Sequence, residues 1–422
     1  MKVAFYLNNT NISDVDFTHI EDGNPGVGGS EFSCVLIANE LCKRNNIDTI
    51  LLVSKDGKFP STLKYTICEN LIQAIKKYHN TIELFILDSK YFNDSIAKEF
   101  PSTKFMLWVN NKMNLKIMQR YAAMPNIIKF IHVGREMYDL YRDSWMFSKM
   151  TYIFNAIPLS FLDKMKPVLL EQRSNKVIYI GSLIPTKGFH LLAKAWPQIV
   201  KAIPNAELFV IGSGKLYNRN AKMGYYNIAE KSYEDIFMPY LINEKKEILD
   251  SVHFMGILGK AKYKIMKECK VGVPNPSGIS ETFGYTAIEM ALMGCLVTSM
   301  KCPGYIDTIF ETNHLYTNSH QISQYVINLL NQNNCDEKYK VELQYIINNF
   351  SIDSVIPKWE DLLLNYEKEF IYPPSLRSSY HHKKIKEFIH LHIPNHIKKH
   401  LPCIESFYTN KLYRKYFSIT KL

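Results

Sequence analysis

Ser280-Glu281-Thr282-Phe283-Gly284-Tyr285-Thr286-Ala287-Ile288-Glu289 places two glutamates eight positions apart around a small, glycine-containing turn. The preceding run, Lys270 to Pro274, reads as a short buried strand, and Asn275 to Ser280 as the loop after it. The pattern then predicts a helix running to Met293, with Gly294 as its C′ residue. Backbone N–H groups at such a helix start are free, carry partial positive charge and suit a phosphate. Glu281 falls before the helix and Glu289 about a turn and a half inside it, so the two do not form an acid/base pair on one helical face. They are placed to reach hydroxyls at different points of one elongated ligand with a diphosphate between them. A sugar nucleotide has that layout: sugar, diphosphate, ribose. Ala287, Ile288, Ala291 and Leu292 around Glu289 are apolar, so the helix is expected to be largely buried and the carboxylate to need a partner. The plainer reading gives Glu281 to the helix dipole and Glu289 to a solvated face.

Outward from this stretch, strand and helix patterns alternate in two rounds. Strand-like runs fall at Val3–Leu7, Thr49–Val53, Glu83–Leu87, Phe105–Val109, Ile127–His132 and Thr151–Phe154, with helical patterns clearest at Ser30–Lys43 and Arg135–Arg142. The second round predicts a strand at Val177–Ile180, a helix at Phe189–Ala202, a strand at Glu207–Ile211, a helix at Lys260–Glu268 and a strand at Cys295–Ser299. Such alternation implies an α/β fold with parallel sheets covered on both faces, and ligands beyond the carboxyl ends of the strands. At 422 residues the chain exceeds one typical core, and two domains are expected. The boundary is expected near Asn155-Ala156-Ile157-Pro158, where Pro158 disfavours helix at the residue before it. Ser351-Ile352-Asp353 reads as a later helix start.

Composition narrows the class. A hydrophobic share of 46% with 22% charged residues fits a globular protein. Met1 leads straight into a strand-like run, so no secretory signal is expected, and no apolar stretch approaches the roughly 18 residues needed to span a bilayer. The eight cysteines show no CxxC spacing, which points to reduced, buried thiols in a cytoplasmic protein.

The run from Pro276 to Gly294 resembles the E-x7-E segment of retaining glycosyltransferases of GT-B architecture, in the large family 4 group (glycosyl transferases group 1). Gly28-Gly29-Ser30-Glu31 resembles that family's N-terminal glycine loop. Tyr179-Ile180-Gly181-Ser182-Leu183 with Lys187-Gly188-Phe189 resembles its donor loop, Val210-Ile211-Gly212-Ser213-Gly214 its GxG loop beneath the nucleotide, and Val252-His253-Phe254-Met255-Gly256 the strand-turn beside the base. The resemblance covers roughly residues 1 to 370 and is specific in the second half. It implies two Rossmann-like domains facing across a cleft. Residues 1–155 would bind the acceptor and 156–345 the nucleotide sugar. Residues 346–371 would form a crossover helix returning to the first domain, and 372–422 a basic amphipathic tail.

The resemblance also implies roles. Lys187 and Glu281 are the expected catalytic residues: the lysine meets charge on the leaving diphosphate, and Glu281 sits at the transferred sugar. Glu289 would accept both ribose hydroxyls. The N–H groups of Phe283, Gly284, Tyr285 and Thr286 would cradle the diphosphate, with Gly29, Ser182, Gly212, Gly214 and Leu258 completing the donor site. The family usually has arginine where Ser182 stands. Lys215, Arg219 or Lys222 would compensate, or Ser182 would donate a neutral hydrogen bond. Asn110 stands at a strand end where relatives often carry histidine, and His132 is given no catalytic role. No cofactor or metal is expected, the nucleotide sugar being a substrate. Asp14-Val15-Asp16 reads as a solvated loop despite its DxD spacing.

Two further segments stand out. Leu216 to Lys246 is long for a βα connection and rich in tyrosine, including Tyr217, Tyr225, Tyr226 and Tyr233; it reads as a lid, an acceptor rim or a decorated surface loop. From Tyr372 onward there are ten lysines and arginines against two acidic residues, so this tail carries eight of the chain's net +11. Ile385, Phe388, Ile389 and His392 recur there at helical spacing. The expected partner is an anionic membrane surface on the inner face of the cell membrane, the alternatives being a solvated tail or a docking segment. Nucleic acid is not expected, because no binding motif accompanies the charge. The sequence thus points to a retaining transferase that moves a sugar from a UDP- or GDP-linked donor to a glycan or lipid-linked glycan, in bacterial surface polysaccharide synthesis. A sugar-nucleotide epimerase and a catalytically silent scaffold are the alternatives.

Overall fold

Seven short runs rich in β-branched and aromatic residues build the first sheet: β1 (Lys2–Leu7), β2 (Asp48–Val53), β3 (Tyr65–Ile67), β4 (Leu84–Asp88), β5 (Phe105–Val109), β6 (Ile127–His132) and β7 (Met150–Tyr152). The computed structural model describes residues 1–160, 162, 170–216, 220–333, 336–378 and 382–408. Tyr217, Arg219, Cys335 and the tail beyond Tyr408 lie outside them. All pairs in the first sheet are parallel, in the order β3-β2-β1-β4-β5-β6-β7. Strands such as β4 and β5 are buried along their whole length, as a parallel sheet covered on both faces requires.

The second sheet contains β8 (Lys176–Ile180), β9 (Glu207–Ile211), β10 (Val252–Gly256), β11 (Val271–Gly272) and β12 (Leu296–Val297). It is also parallel, in the order β10-β9-β8-β11-β12. In each sheet the first strand is internal: the chain adds strands on one side, then returns to add the rest on the other. The order therefore reverses between β1 and β4, and between β8 and β11. A crevice opens at such a switch point, beyond the carboxyl ends of the strands.

Most elements lie where the residue pattern places them. The differences are local. β3 carries only three residues and has no alternating signature. The Lys270–Pro274 run pairs only at Val271 and Gly272, and Cys295–Ser299 yields β12 and the start of a separate two-residue strand, Ser299–Met300.

Between β7 and β8, Ile157 N–H donates to Phe350 O at 2.7 Å. Ser351 caps the helix Ile352–Leu364, its side chain accepting from Ser354 N–H. That helix returns to the first sheet, with Trp359 packed against Phe5 and Trp108 at ring-centroid distances of 5.9 and 4.8 Å.

The C-terminal segment includes a helix that turns some of its lysines toward the first unit. In the helix Lys383–His392, Lys383 and Lys386 are buried, while Ile385, Phe388 and Leu391 are more than half exposed. Buried acceptors in the first unit draw the lysines inward. Lys383 pairs with Glu136, and Lys386 Nζ donates to Leu140 O at 2.7 Å. Arg142, fully buried, joins Asp139 and reaches Glu387 of the helix at 2.8 Å. Among the described residues, three of the tail's cationic side chains, Lys383, Lys386 and Lys398, are thus buried in the protein. No helix among the described residues is long and apolar enough to cross a membrane.

His132, at the end of β6, is fully buried, and neither ring nitrogen has a hydrogen-bond partner. Burial pushes its pKa down to about 3. The unfolded chain binds the proton more readily, so this histidine's contribution is full above its ordinary pKa of about 6.5 and is lost as pH falls from there toward 3. Chemical denaturation of wild type between pH 7 and 4 is expected to show an acid-side loss on the order of a few kcal/mol from this group. The loss should be flattened in His132→Phe.

Candidate active site

Both switch points open into one cleft of about 490 Å³. Its second-unit wall is built from the strand ends. After β8 come Gly181, Ser182 and the turn Pro185–Lys187. Gly212 follows β9, Leu258 follows β10, and the Asn275–Gly284 loop follows β11. The helix Tyr285–Leu292 starts at this wall. Gly284 at its N-cap has φ +88°, a left-handed conformation that disfavours any side chain, and a Cβ there would meet the Tyr305 ring at 2.7 Å.

Lys187 and Glu281 meet in the cleft: Lys187 Nζ lies 2.9 Å from Glu281 Oε2. Asn275 Nδ2 donates to the same oxygen at 3.2 Å. The two loops are also tied together by Ser277 Oγ, which donates to Thr186 O at 2.8 Å. Glu289 is buried, as its apolar neighbours indicate, and its partner is Lys262. Lys262 Nζ donates to both carboxylate oxygens, at 2.7 and 2.8 Å, and Tyr263 OH donates to Oε1 at 2.9 Å.

Residues 161–342 match the family model of glycosyl transferases group 1. Over that stretch the chain is similar to glycosyl transferases group 1. A curated Haemophilus influenzae protein, described as an uncharacterized glycosyltransferase, is 20% identical over 377 residues, covering 80% of this chain and 96% of its own. Among solved structures, Anabaena HepE in complex with UDP and glucose superposes with a TM-score of 0.61 at 14% identity, covering 86% of this chain and 100% of that one. A Rickettsia africae glycosyltransferase gives 0.62 at 14%, covering 87% and 99%. These likenesses show the fold, the GT-B arrangement of two parallel α/β units.

The first unit closes the cleft from the other side. Gly29 opens the helix Gly29–Cys42 directly against Tyr285, where a Cβ would come within 2.8 Å of the ring. The Tyr285 hydroxyl bonds Ser33 and donates to Ala156 O at 3.2 Å. Tyr285 and Phe283 thus spend their side chains on the junction, Phe283 packing on Phe154 and Phe350, and offer a ligand only their N–H groups. Thr286 and Leu258 line the cleft. Thr282 Oγ1 donates to Asn110 O across the junction. Asn110, in turn, donates to Asp88 at 3.2 Å, and burial raises the pKa of that carboxyl above its usual range.

Beside Asn110, Lys90 pairs with Glu31 at 2.7 Å. Burial acts to raise the Glu31 carboxyl, but the ammonium outweighs it and holds the pKa below the usual value. Burial likewise works against the Lys90 charge, and Glu31 and Asp88 outweigh it.

Three expected contributors stand elsewhere. Gly214 is not part of the cleft lining; it packs on Ala229. Lys215 and Lys222 do not line the cleft either. In the tyrosine-rich insert, Glu234 organises the chain by accepting from the N–H groups of Tyr226, Ile228 and Ala229. Asp16, of the DxD-like run, accepts from Thr18 N–H at 2.9 Å in a local turn. Lys90, Asn275, Lys262 and Tyr263 are site residues the sequence did not single out. The need of Glu289 for a partner was legible, but nothing marked which of several nearby lysines supplies it.

The Lys262 and Glu289 side chains are 6% and 4% exposed. Removing one partner strands a buried charge, which costs about 3–5 kcal/mol, whereas replacing both with apolar groups is near neutral. Urea denaturation is expected to show that loss for Glu289→Ala and Lys262→Met separately, and most of it recovered in Lys262→Met/Glu289→Leu. Additive losses would contradict the pair.

Proposed function

We propose that this protein is a retaining glycosyltransferase of the family 4 kind, moving a sugar from a nucleoside-diphosphate donor to a glycan or lipid-linked glycan. The observation that carries this reading is the convergence of Lys187, Glu281, Glu289 and the Gly284 helix start on one cleft between two parallel α/β units. As the sugar–phosphate bond breaks, negative charge grows on the leaving diphosphate. Lys187 and the N–H groups of residues 283–286 are the fixed donors that meet it. Glu281, held on Oε2, takes sugar hydroxyls, and Glu289 takes the ribose. The acceptor hydroxyl enters from the Glu31, Lys90 and Asn110 side and attacks from the face the diphosphate leaves, and the departing phosphate takes its proton. No enzymic nucleophile is needed, unlike the paired carboxylates of retaining glycosidases.

UDP in the HepE complex supports a UDP-linked donor, with GDP as the alternative. A lipid-linked acceptor and a role in bacterial surface polysaccharide fit a protein resting on the inner face of the cell membrane. In this structure the contact would be made by the outward apolar stripe Ile385, Phe388 and Leu391 with exposed Lys384 and Lys399, rather than by the buried lysines.

Thermal unfolding with UDP, GDP, ADP, CMP and their sugar conjugates tests the donor. One nucleoside diphosphate should stabilise the protein by about 2.7 kcal/mol at a hundredfold excess over its Kd. Turnover of the matching sugar nucleotide should fall about 10²–10³-fold in Lys187→Ala with the fold intact. No shift with any nucleotide in folded protein would overturn the reading.

A further inference from the structure

Three lysines and three glutamates line the cleft among the described residues, and they are paired one to one: Lys90 with Glu31, Lys187 with Glu281, and Lys262 with Glu289. A diphosphate entering this cleft therefore meets lysines that already hold glutamates and has to compete with those carboxylates for them. The Lys262 pair makes this requirement sharpest. A carboxylate has about four acceptor positions. Lys262 occupies one on each oxygen of Glu289, and Tyr263 occupies another on Oε1. Glu289 therefore cannot accept two ribose hydroxyls while Lys262 stays in place. Nor can Lys262 withdraw from so buried a carboxylate without another anion to receive it.

We infer that Lys262 is a donor-binding residue that exchanges partners: the donor's diphosphate draws its ammonium from Glu289, and the released carboxylate takes the ribose. This rests on the proposed sugar-nucleotide reading and adds to it a second diphosphate cation, on the helix after β10. It answers the loss of positive charge at Ser182. Tyr285 and Glu289 are separated by about 6 Å of helical rise, so an ammonium bound to Glu289 is within a swing of a few ångströms of the helix start. A lysine side chain, with its four-carbon flexible stem, makes such a move more readily than an arginine fork. Diphosphate and ribose recognition are thereby coupled in one exchange. Tyr263 keeps its hydrogen bond to Glu289 in both states and holds the carboxylate in position.

The test compares nucleoside diphosphate with nucleoside, using whichever of UDP, GDP or ADP the wild type binds and the corresponding uridine, guanosine or adenosine. Affinities are read by calorimetry and ligand-observed NMR. Glu289→Gln is the reference, because it keeps the shape while removing the carboxylate charge. The double variant Glu289→Gln/Lys262→Met carries no stranded charge and keeps the fold testable. Exchange predicts that the diphosphate-over-nucleoside affinity ratio in the double variant falls about tenfold or more below that of Glu289→Gln. It also predicts a shallower salt dependence for diphosphate binding. An unchanged ratio would overturn it, leaving Lys262 as a structural counter-ion only. Failure of wild type to bind any nucleoside diphosphate would instead sink the sugar-nucleotide reading itself.

Discussion

Charge drawn out of water has to be compensated, and in this protein the same cleft does so with three lysine–glutamate pairs, one buried and two half-buried. Each pair draws on a different strand end, so the charges are satisfied only when the loops after β1, β4, β8, β10 and β11 stand in their observed places. Electrostatics thus does structural work before any ligand arrives. The cleft is electroneutral in its lining lysines and glutamates, and its attraction for an anion depends on how easily each lysine changes partner.

In the proposed donor complex the helix start at Gly284 is the part of the anion site that needs no exchange of partners. Its N–H groups have no intrahelical acceptor, and the left-handed glycine sets their direction. The side chains on either side of that glycine, Phe283 and Tyr285, are fixed in the junction with the first unit through Phe154, Ser33 and Ala156. The two walls of the cleft are therefore joined through the turn proposed to hold the phosphate. A displacement of the first unit would be felt there, as would a displacement of the helix Ile352–Leu364, whose Trp359 is wedged into the first sheet.

Much of this was readable from residue order. Apolar β-branched runs located the strands, and a glutamate followed by a glycine turn and an apolar helix marked the helix start that lines the cleft. Lys187 and the two glutamates do share a cleft. What was hidden depended on contacts distant in sequence. Lys262 sits among Lys260, Lys264, Lys267 and Lys270, a run whose composition signals solvent exposure, yet it is buried because Glu289, 27 residues later, requires a cation. Lys90 is likewise set by Glu31, 59 residues earlier. The packing of the tail was hidden for the same reason. Periodic apolar residues among lysines normally mark a buried apolar face, but Glu136 and Asp139 in the first unit reverse the helix and bring the lysines in. Periodicity shows that a helix has two faces; which one is buried depends on what it meets.

The most direct test of the account is a crystal structure of the full chain with the nucleoside diphosphate that stabilises it. The account predicts phosphate oxygens on the N–H groups of residues 283–286, Lys187 and Lys262 turned onto them, and Glu289 on the ribose hydroxyls. A nucleotide bound elsewhere, or bound with Lys187–Glu281 and Lys262–Glu289 both intact, would contradict it.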